Sequence, residues 1–180
     1  MGGIVIQGGV QTIRPWRVYI AAPLTERETA LAFGDLLCVS YGEDQSSFHV
    51  SSTWHDSSFS TVSEESLMRK EERRARARQC HFEIKTSDIF VHIYRPDSGR
   101  EGNIVELGIA IGMERPIFVF SPYEPRNIFM DIDHVVGWSD SSKDLIGQML
   151  LFAEKERRDR MFRSLIDSFP AGPLPFKDPR

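Results

Sequence analysis

Cysteine and long hydrophobic runs are both scarce in this 180-residue sequence. Its two cysteines, Cys38 and Cys80, form neither a disulfide framework nor a Cys-x-x-Cys pattern. No apolar run approaches the roughly 20 residues that a membrane helix needs, and no basic segment followed by an apolar core marks the start. We therefore expect a reduced, cytoplasmic protein without a membrane segment.

An excess of positive charge is also lacking. The 22 Lys and Arg residues are outnumbered by 26 Asp and Glu, which gives a net charge of -4. Proteins that bind nucleic acid usually carry a strongly basic face, so no nucleic-acid polymer is expected as a partner. The five histidines include no pair at the helical spacing of metal ligands, and we expect neither a metal nor a cofactor.

The chain has enough apolar residues for one core, since they make up 41% of the sequence. We interpret residues 1–16 as an extension, 17–168 as a single domain and the proline-rich residues 169–180 as an irregular tail. Residues 57–63 form a serine-rich stretch that suits a mobile flap.

Apolar strand patterns alternate with helical patterns along the domain. The predicted strands are 18–22, 48–53, 89–94, 117–121 and 134–137. The predicted helices are 26–39 (with a Thr25-x-x-Glu28 capping box), 64–85, 103–113 and 143–168 (capped by Ser141 or Ser142). Strands separated by helices predict an α/β fold with a five-stranded parallel sheet.

A glycine-containing loop and an apolar helix follow the third predicted strand. Glu106 is the only charged residue between Ile104 and Met113. Carboxylates are rarely placed in apolar segments without a partner or a function. The order strand, loop, helix places Glu106 at the carboxyl edge of the sheet, where ligands bind in such folds.

Two roles are open for Glu106. In the first turn of its predicted helix, the helix dipole favours the ionised carboxylate, which can attack an anomeric carbon as a nucleophile. The alternative is a carboxylate that caps a neighbouring backbone amide.

Other candidates lie at the same predicted edge. Gly102 and Asn103 suit hydrogen bonds to a sugar hydroxyl or a phosphate, although a plain N-cap is the alternative. Tyr19 is either a site residue or a core residue, and Trp54 either stacks on a base or covers the core. Asp88, at the opposite end of its strand, is interpreted as structural.

Five segments together resemble the nucleoside 2-deoxyribosyltransferase family and its nucleotide N-glycosidase relatives. The resemblance covers roughly residues 17–140. The segments are Tyr19–Leu24, Ile84–Ile89, Gly102–Ala110, Pro116–Val119 and Arg126–Phe129.

The resemblance implies a flavodoxin-like three-layer sandwich and cleavage of an N-glycosidic bond. It implies that Glu106 is the nucleophile on the sugar and that Tyr19 assists beside it. Asn127 matches a family asparagine that reaches a neighbouring subunit's site, so a homodimer or higher homo-oligomer is expected. Pro23, at the end of the first segment, joins the candidates for substrate binding.

The chain departs from the family pattern at two places. The family aspartate that protonates the leaving base is replaced here by Cys80, a weak acid at neutral pH. Asp97 and Gly99 keep part of the loop pattern, but extra residues separate them from Glu106. Arg100 enters this loop and is expected to pair with a phosphate, which favours a nucleoside 5'-monophosphate.

Three functions follow from these residues. The first is an enzyme that cleaves a nucleoside or nucleotide through Glu106, by hydrolysis or by deoxyribosyl transfer, and the sequence does not choose between the two. The second is a catalytically weak module that binds or senses a nucleotide. The third is a glycohydrolase that cleaves NAD.

Overall fold

The computed structural model describes five segments of the chain. They are residues 14–39, 48–56, 67–95, 101–123 and 132–168.

The described strands form one parallel sheet. They are β1 (Trp16–Ala21), β2 (Phe48–Val50), β3 (Ile89–Ile93), β4 (Ile117–Phe120) and β5 (Val135–Ser139). Their spatial order is β2-β1-β3-β4-β5, and every neighbouring pair is parallel. This is the order of flavodoxin-like proteins, so the predicted fold class is confirmed.

Helices cover both faces of the sheet. Those described are α1 (Arg27–Val39), α2 (Lys70–Thr86), α3 (Glu101–Gly112) and α4 (Ser142–Ser168). In the described part of the chain, no helix is long and apolar enough to cross a membrane.

Two apolar clusters lie between the sheet and the helices, one on each face of the sheet. Side chains of α1 and α4 pack with Val18, Ile20 and Val91 on one face of the sheet. Side chains of α2 and α3 pack with Tyr19 and Phe90 on the other. Because side chains alternate along a strand, β1 and β3 contribute to both clusters, and the sheet is buried on both sides.

Most predicted boundaries are wrong by one or more residues; Trp16, for example, belongs to β1 and not to an extension. The second strand ends at Val50, and beyond it the hydroxyl groups of Ser51 and Ser52 bond to the backbone of β1. The first helix begins at Arg27, so Thr25 lies in a preceding 3-10 turn and not at the helix N-cap. The second helix begins at Lys70, six residues later than predicted.

The predicted cap of the last helix is confirmed. The Asp144 backbone N–H donates to the Ser141 hydroxyl oxygen at 3.3 Å. The structural interpretation of Asp88 is also confirmed. Its carboxylate accepts two hydrogen bonds of 2.7 Å from Arg14 and one of 2.8 Å from the Arg17 backbone, at the amino edge of the sheet.

Candidate active site

The candidate site combines residues of β1, α2 and α3 on one face of the sheet. Tyr19 of β1 is fully buried, and its hydroxyl donates to Glu106 Oε1 of α3 at 2.8 Å. The phenol ring stacks on Phe90 of the neighbouring strand, with ring centroids 5.6 Å apart and planes at 12°. The stacking fixes the direction of the Tyr19 hydroxyl, so the carboxylate of Glu106 accepts its hydrogen bond from a rigidly placed donor.

The position of Glu106 within its helix differs from the prediction. Because α3 begins at Glu101, Glu106 lies in the second turn and not in the first. The field of a helix terminus falls off within the first turn. The hydrogen bond from Tyr19, and not the helix dipole, is therefore the described contact that stabilises the carboxylate of Glu106.

Tyr19 keeps its proton over the whole working pH range. Burial raises its pKa far above the ordinary value, and the negative charge of Glu106 and the nearby Cys80 raise it further. Tyr19 is therefore a permanent hydrogen-bond donor at this site.

Cys80 of α2 completes a three-residue cluster with Tyr19 and Glu106. Its side chain packs against the apolar cluster that contains Tyr19, and the negative charge of Glu106 acts on its thiol. Burial raises the pKa of Cys80 to about 11, and the charge of Glu106 adds to the shift. In the sequence, Cys80 stands one helical turn before the buried Ile84, and this spacing is the signal that it faces inward.

Asn103 lies one turn before Glu106 on α3, so the two side chains share a helix face. Only 8% of Asn103 is exposed, and its Oδ1 accepts no hydrogen bond from the described residues. Buried amide oxygens are normally partnered, so this acceptor suits a ligand hydroxyl. Its neighbour Gly102 is exposed.

His92 is a buried polar residue that the sequence analysis did not single out. It lies on β3 on the same face as Phe90, with its ring between those of Phe90 and Tyr94. Burial lowers its pKa to about 4, and Nδ1 has no hydrogen-bond partner within the described segments. The sequence contains a signal for this position: His92 follows the apolar Phe90 by two residues in a predicted strand, and such residues share one face of the sheet.

Trp54 and Pro23 lie near the carboxyl ends of β2 and β1. The indole Nε1 of Trp54 donates to the Ile20 carbonyl at 2.6 Å, and its ring packs against both apolar clusters. Buried Glu83 accepts hydrogen bonds from the backbone and hydroxyl of Thr53, which fixes the segment that leads to Trp54. Pro23 is buried two residues after the end of β1. Stacking of a base on Trp54 stays a prediction.

Four predicted site residues lie outside the described segments: Asp97, Gly99, Arg100 and Asn127. Within those segments, no group of three or more His, Cys, Asp or Glu side chains is arranged to hold a metal ion.

Comparison with known proteins gives matches among solved structures. No protein-family model matches the chain, and neither does any curated protein. A 2-deoxyribosyltransferase from the psychrotolerant bacterium Bacillus psychrosaccharolyticus aligns with a TM-score of 0.54 and 19% identity, over 72% of this chain and 90% of that one. A CMP N-glycosidase from Clostridium botulinum aligns with a TM-score of 0.48 and 18% identity, over 75% and 98%. The likeness to the deoxyribosyltransferase shows that the two proteins share a fold.

Proposed function

We propose that this protein cleaves the N-glycosidic bond of a nucleoside or nucleoside 5'-monophosphate, with Glu106 as the nucleophile. The observation that carries the proposal is the 2.8 Å hydrogen bond from Tyr19 to Glu106, at the edge of the sheet where such folds bind ligands. A carboxylate held by a buried donor is oriented before the substrate arrives. The fold shared with a 2-deoxyribosyltransferase supports the same reaction class.

In the first step, a carboxylate oxygen of Glu106 attacks the anomeric carbon of the sugar. The bond from that carbon to the base nitrogen breaks, and its electron pair goes to the base. The product is a glycosyl ester on Glu106, as in retaining glycosidases. Tyr19 keeps the carboxylate aligned, because its hydroxyl remains protonated.

In the second step, an acceptor attacks the same carbon and releases Glu106. Water as the acceptor gives hydrolysis, and a second base gives deoxyribosyl transfer; the proton that the acceptor loses passes to the released base or to solvent. Asn103 Oδ1, which accepts no hydrogen bond from the described residues, is proposed to accept one from a sugar hydroxyl. Arg100 is proposed to select a 5'-phosphate, because a guanidinium pairs well with phosphate oxygens.

The test measures base release by chromatography from nucleosides, nucleoside 5'-monophosphates and NAD, with and without a second free base. We expect Glu106→Gln to lower the rate by about a thousandfold or more, because the amide is a poor nucleophile. Glu28→Gln, at an exposed position of α1, is the matched control and should behave as the wild type. Equal base release by the wild type and Glu106→Gln would contradict the proposal.

The second candidate is a catalytically weak module that binds a nucleotide. A weakly acidic thiol beside Glu106 favours it, because a poor proton donor slows the departure of an ordinary base. Stoichiometric binding in calorimetry, with no base release from any substrate, would support this function over the enzyme.

A further inference from the structure

The segment after β2 carries Trp54 to the carboxyl end of β1. The Trp54 indole Nε1 donates to the Ile20 carbonyl at 2.6 Å, and Ile20 follows Tyr19, whose hydroxyl lies 2.8 Å from Glu106 Oε1. The Trp54 ring also packs against the apolar cluster that contains Tyr19. We propose, on the basis of the nucleoside or nucleotide ligand of the proposed function, that Glu83 of α2 is a positioning residue that fixes Trp54 as the stacking surface for the base.

The backbone of this segment is held in place before any ligand binds. Each of its five residues is joined by a hydrogen bond to another element of the fold. The partners are β1 for Ser51, Ser52 and Trp54, α2 for Thr53, and α1 for His55, whose carbonyl accepts from Arg27 Nε at 2.6 Å. A segment that is already ordered loses little conformational entropy on binding, so it suits a preformed wall of a site.

Trp54 differs from its neighbours in exposure. Ser51, Ser52 and His55 are buried, whereas Trp54 is half-buried. The indole is therefore the large ring that this segment presents at the edge of the sheet where such folds bind ligands. An indole stacks on any base, because every base has a π-face.

Glu83 joins the segment to α2 through a carboxylate that is 3% exposed. Its Oε1 accepts from the Thr53 hydroxyl at 2.6 Å and from the Gln79 amide at 2.7 Å, and its Oε2 accepts from the Thr53 backbone N–H at 3.2 Å. Three donors thus meet two oxygens, and an ionised carboxylate offers acceptors alone. A glutamine at this position would set an amide N–H against one of the donors, so Thr53, and Trp54 directly after it, would shift.

The experiment measures binding by calorimetry in the Glu106→Gln background, so that no probe is consumed. The probes are the 2'-deoxynucleoside 5'-monophosphates of the four bases, and 2-deoxyribose 5-phosphate, which has no base and is measured by competition with the tightest nucleotide. We expect Glu83→Gln to weaken that nucleotide by about tenfold, as expected for loss of one stack between a base and an aromatic side chain. The affinity for 2-deoxyribose 5-phosphate should not change.

Trp54→Leu should weaken the nucleotide by the same order. The variant with both Glu83→Gln and Trp54→Leu should bind it no more weakly than Trp54→Leu alone, because Glu83 acts through Trp54. Glu71→Gln, at an exposed position of α2, is the matched control and should bind both probes unchanged. If Glu83→Gln does not fold, Thr53→Val removes one donor and should weaken the nucleotide but not the sugar phosphate.

The outcomes separate this inference from the proposed function. Equal weakening of nucleotide and sugar phosphate by Glu83→Gln would show a general distortion of the site and would overturn the inference. Full nucleotide affinity in folded Glu83→Gln, additive losses in the double variant, or no binding of any probe would also overturn it. Absence of base release by the wild type, measured separately, overturns the catalytic proposal alone, because the binding assay does not depend on turnover.

Discussion

Tyr19 and Glu106 are 87 residues apart in the chain, yet a single hydrogen bond joins them. The sequence predicts that Tyr19 is either a site residue or a core residue, and in the structure it is both. Its ring is fully buried against Phe90, while its hydroxyl reaches the carboxylate. Because the ring is fixed in the sheet, its hydroxyl holds the carboxylate of Glu106 in one orientation.

Tyr19→Phe tests this coupling. The substitution keeps the stacked ring and removes only the donor, so the carboxylate loses its alignment. We expect kcat/KM for base release to fall by about a hundredfold, and the free energy of unfolding in urea to fall by about 1 kcal/mol.

Tyr123→Phe is the control for Tyr19→Phe, because 61% of Tyr123 is exposed. It should leave both quantities unchanged. Full activity of folded Tyr19→Phe would show that the hydrogen bond does not align the carboxylate.

At the scale of elements, the packing of α4 on the edge of the sheet depends on the absence of one side chain. A Cβ at Gly137 of β5 would lie 2.8 Å from the Phe118 ring and would overlap the Gln148 side-chain oxygen. Gln148 also donates to the Trp138 carbonyl at 3.0 Å, so it is held in that place. The glycine therefore lets α4 approach β5 closely.

Gly137→Ala should destabilise the protein, because Phe118 and Gln148 must both move. We expect a loss of about 1–3 kcal/mol in the free energy of unfolding, measured in urea. Gly147→Ala is the matched control on α4, where a Cβ meets no atom within 4 Å. It should be neutral or stabilising by up to about 1 kcal/mol. A smaller loss for Gly137→Ala than for the control would contradict this account of the packing.

For the whole molecule, His92 links stability to pH. Burial lowers its pKa to about 4, below the ordinary value of 6.5 that it regains on unfolding. Between these values the unfolded chain binds the extra proton and the folded protein does not. Its contribution is therefore fully present above pH 6.5 and is lost as the pH falls towards 4, by about 3 kcal/mol in total.

His92→Phe should remove this dependence, since a phenyl ring can occupy the place between Phe90 and Tyr94 without binding a proton. Urea unfolding at pH 7 and at pH 4.5 measures it. The wild type should lose more stability than the variant between the two values. A constant difference between wild type and variant at both pH values would show that protonation of His92 is not the cause.

Much of the fold was accessible from local patterns. The alternation of apolar strands with helices predicts the parallel sheet and the four described α-helices, because periodicity is a property of residues that are close in the sequence. The end of the second strand is predicted wrongly, because the hydroxyl groups of Ser51 and Ser52 bond to β1, which is distant in the chain. Such partners are not encoded in the segment itself.

The sequence by itself determined that the protein has a doubly covered parallel sheet and that Glu106 is an isolated acid near the carboxyl edge. Only the tertiary structure decided which groups meet that acid. Tyr19, Cys80 and Glu106 come from three elements, and the order of β1 beside β3 together with the packing of α2 against α3 brings them together. Their shared burial then fixes the protonation of the phenol and the thiol, because desolvation depends on the finished core and not on the order of residues along the chain.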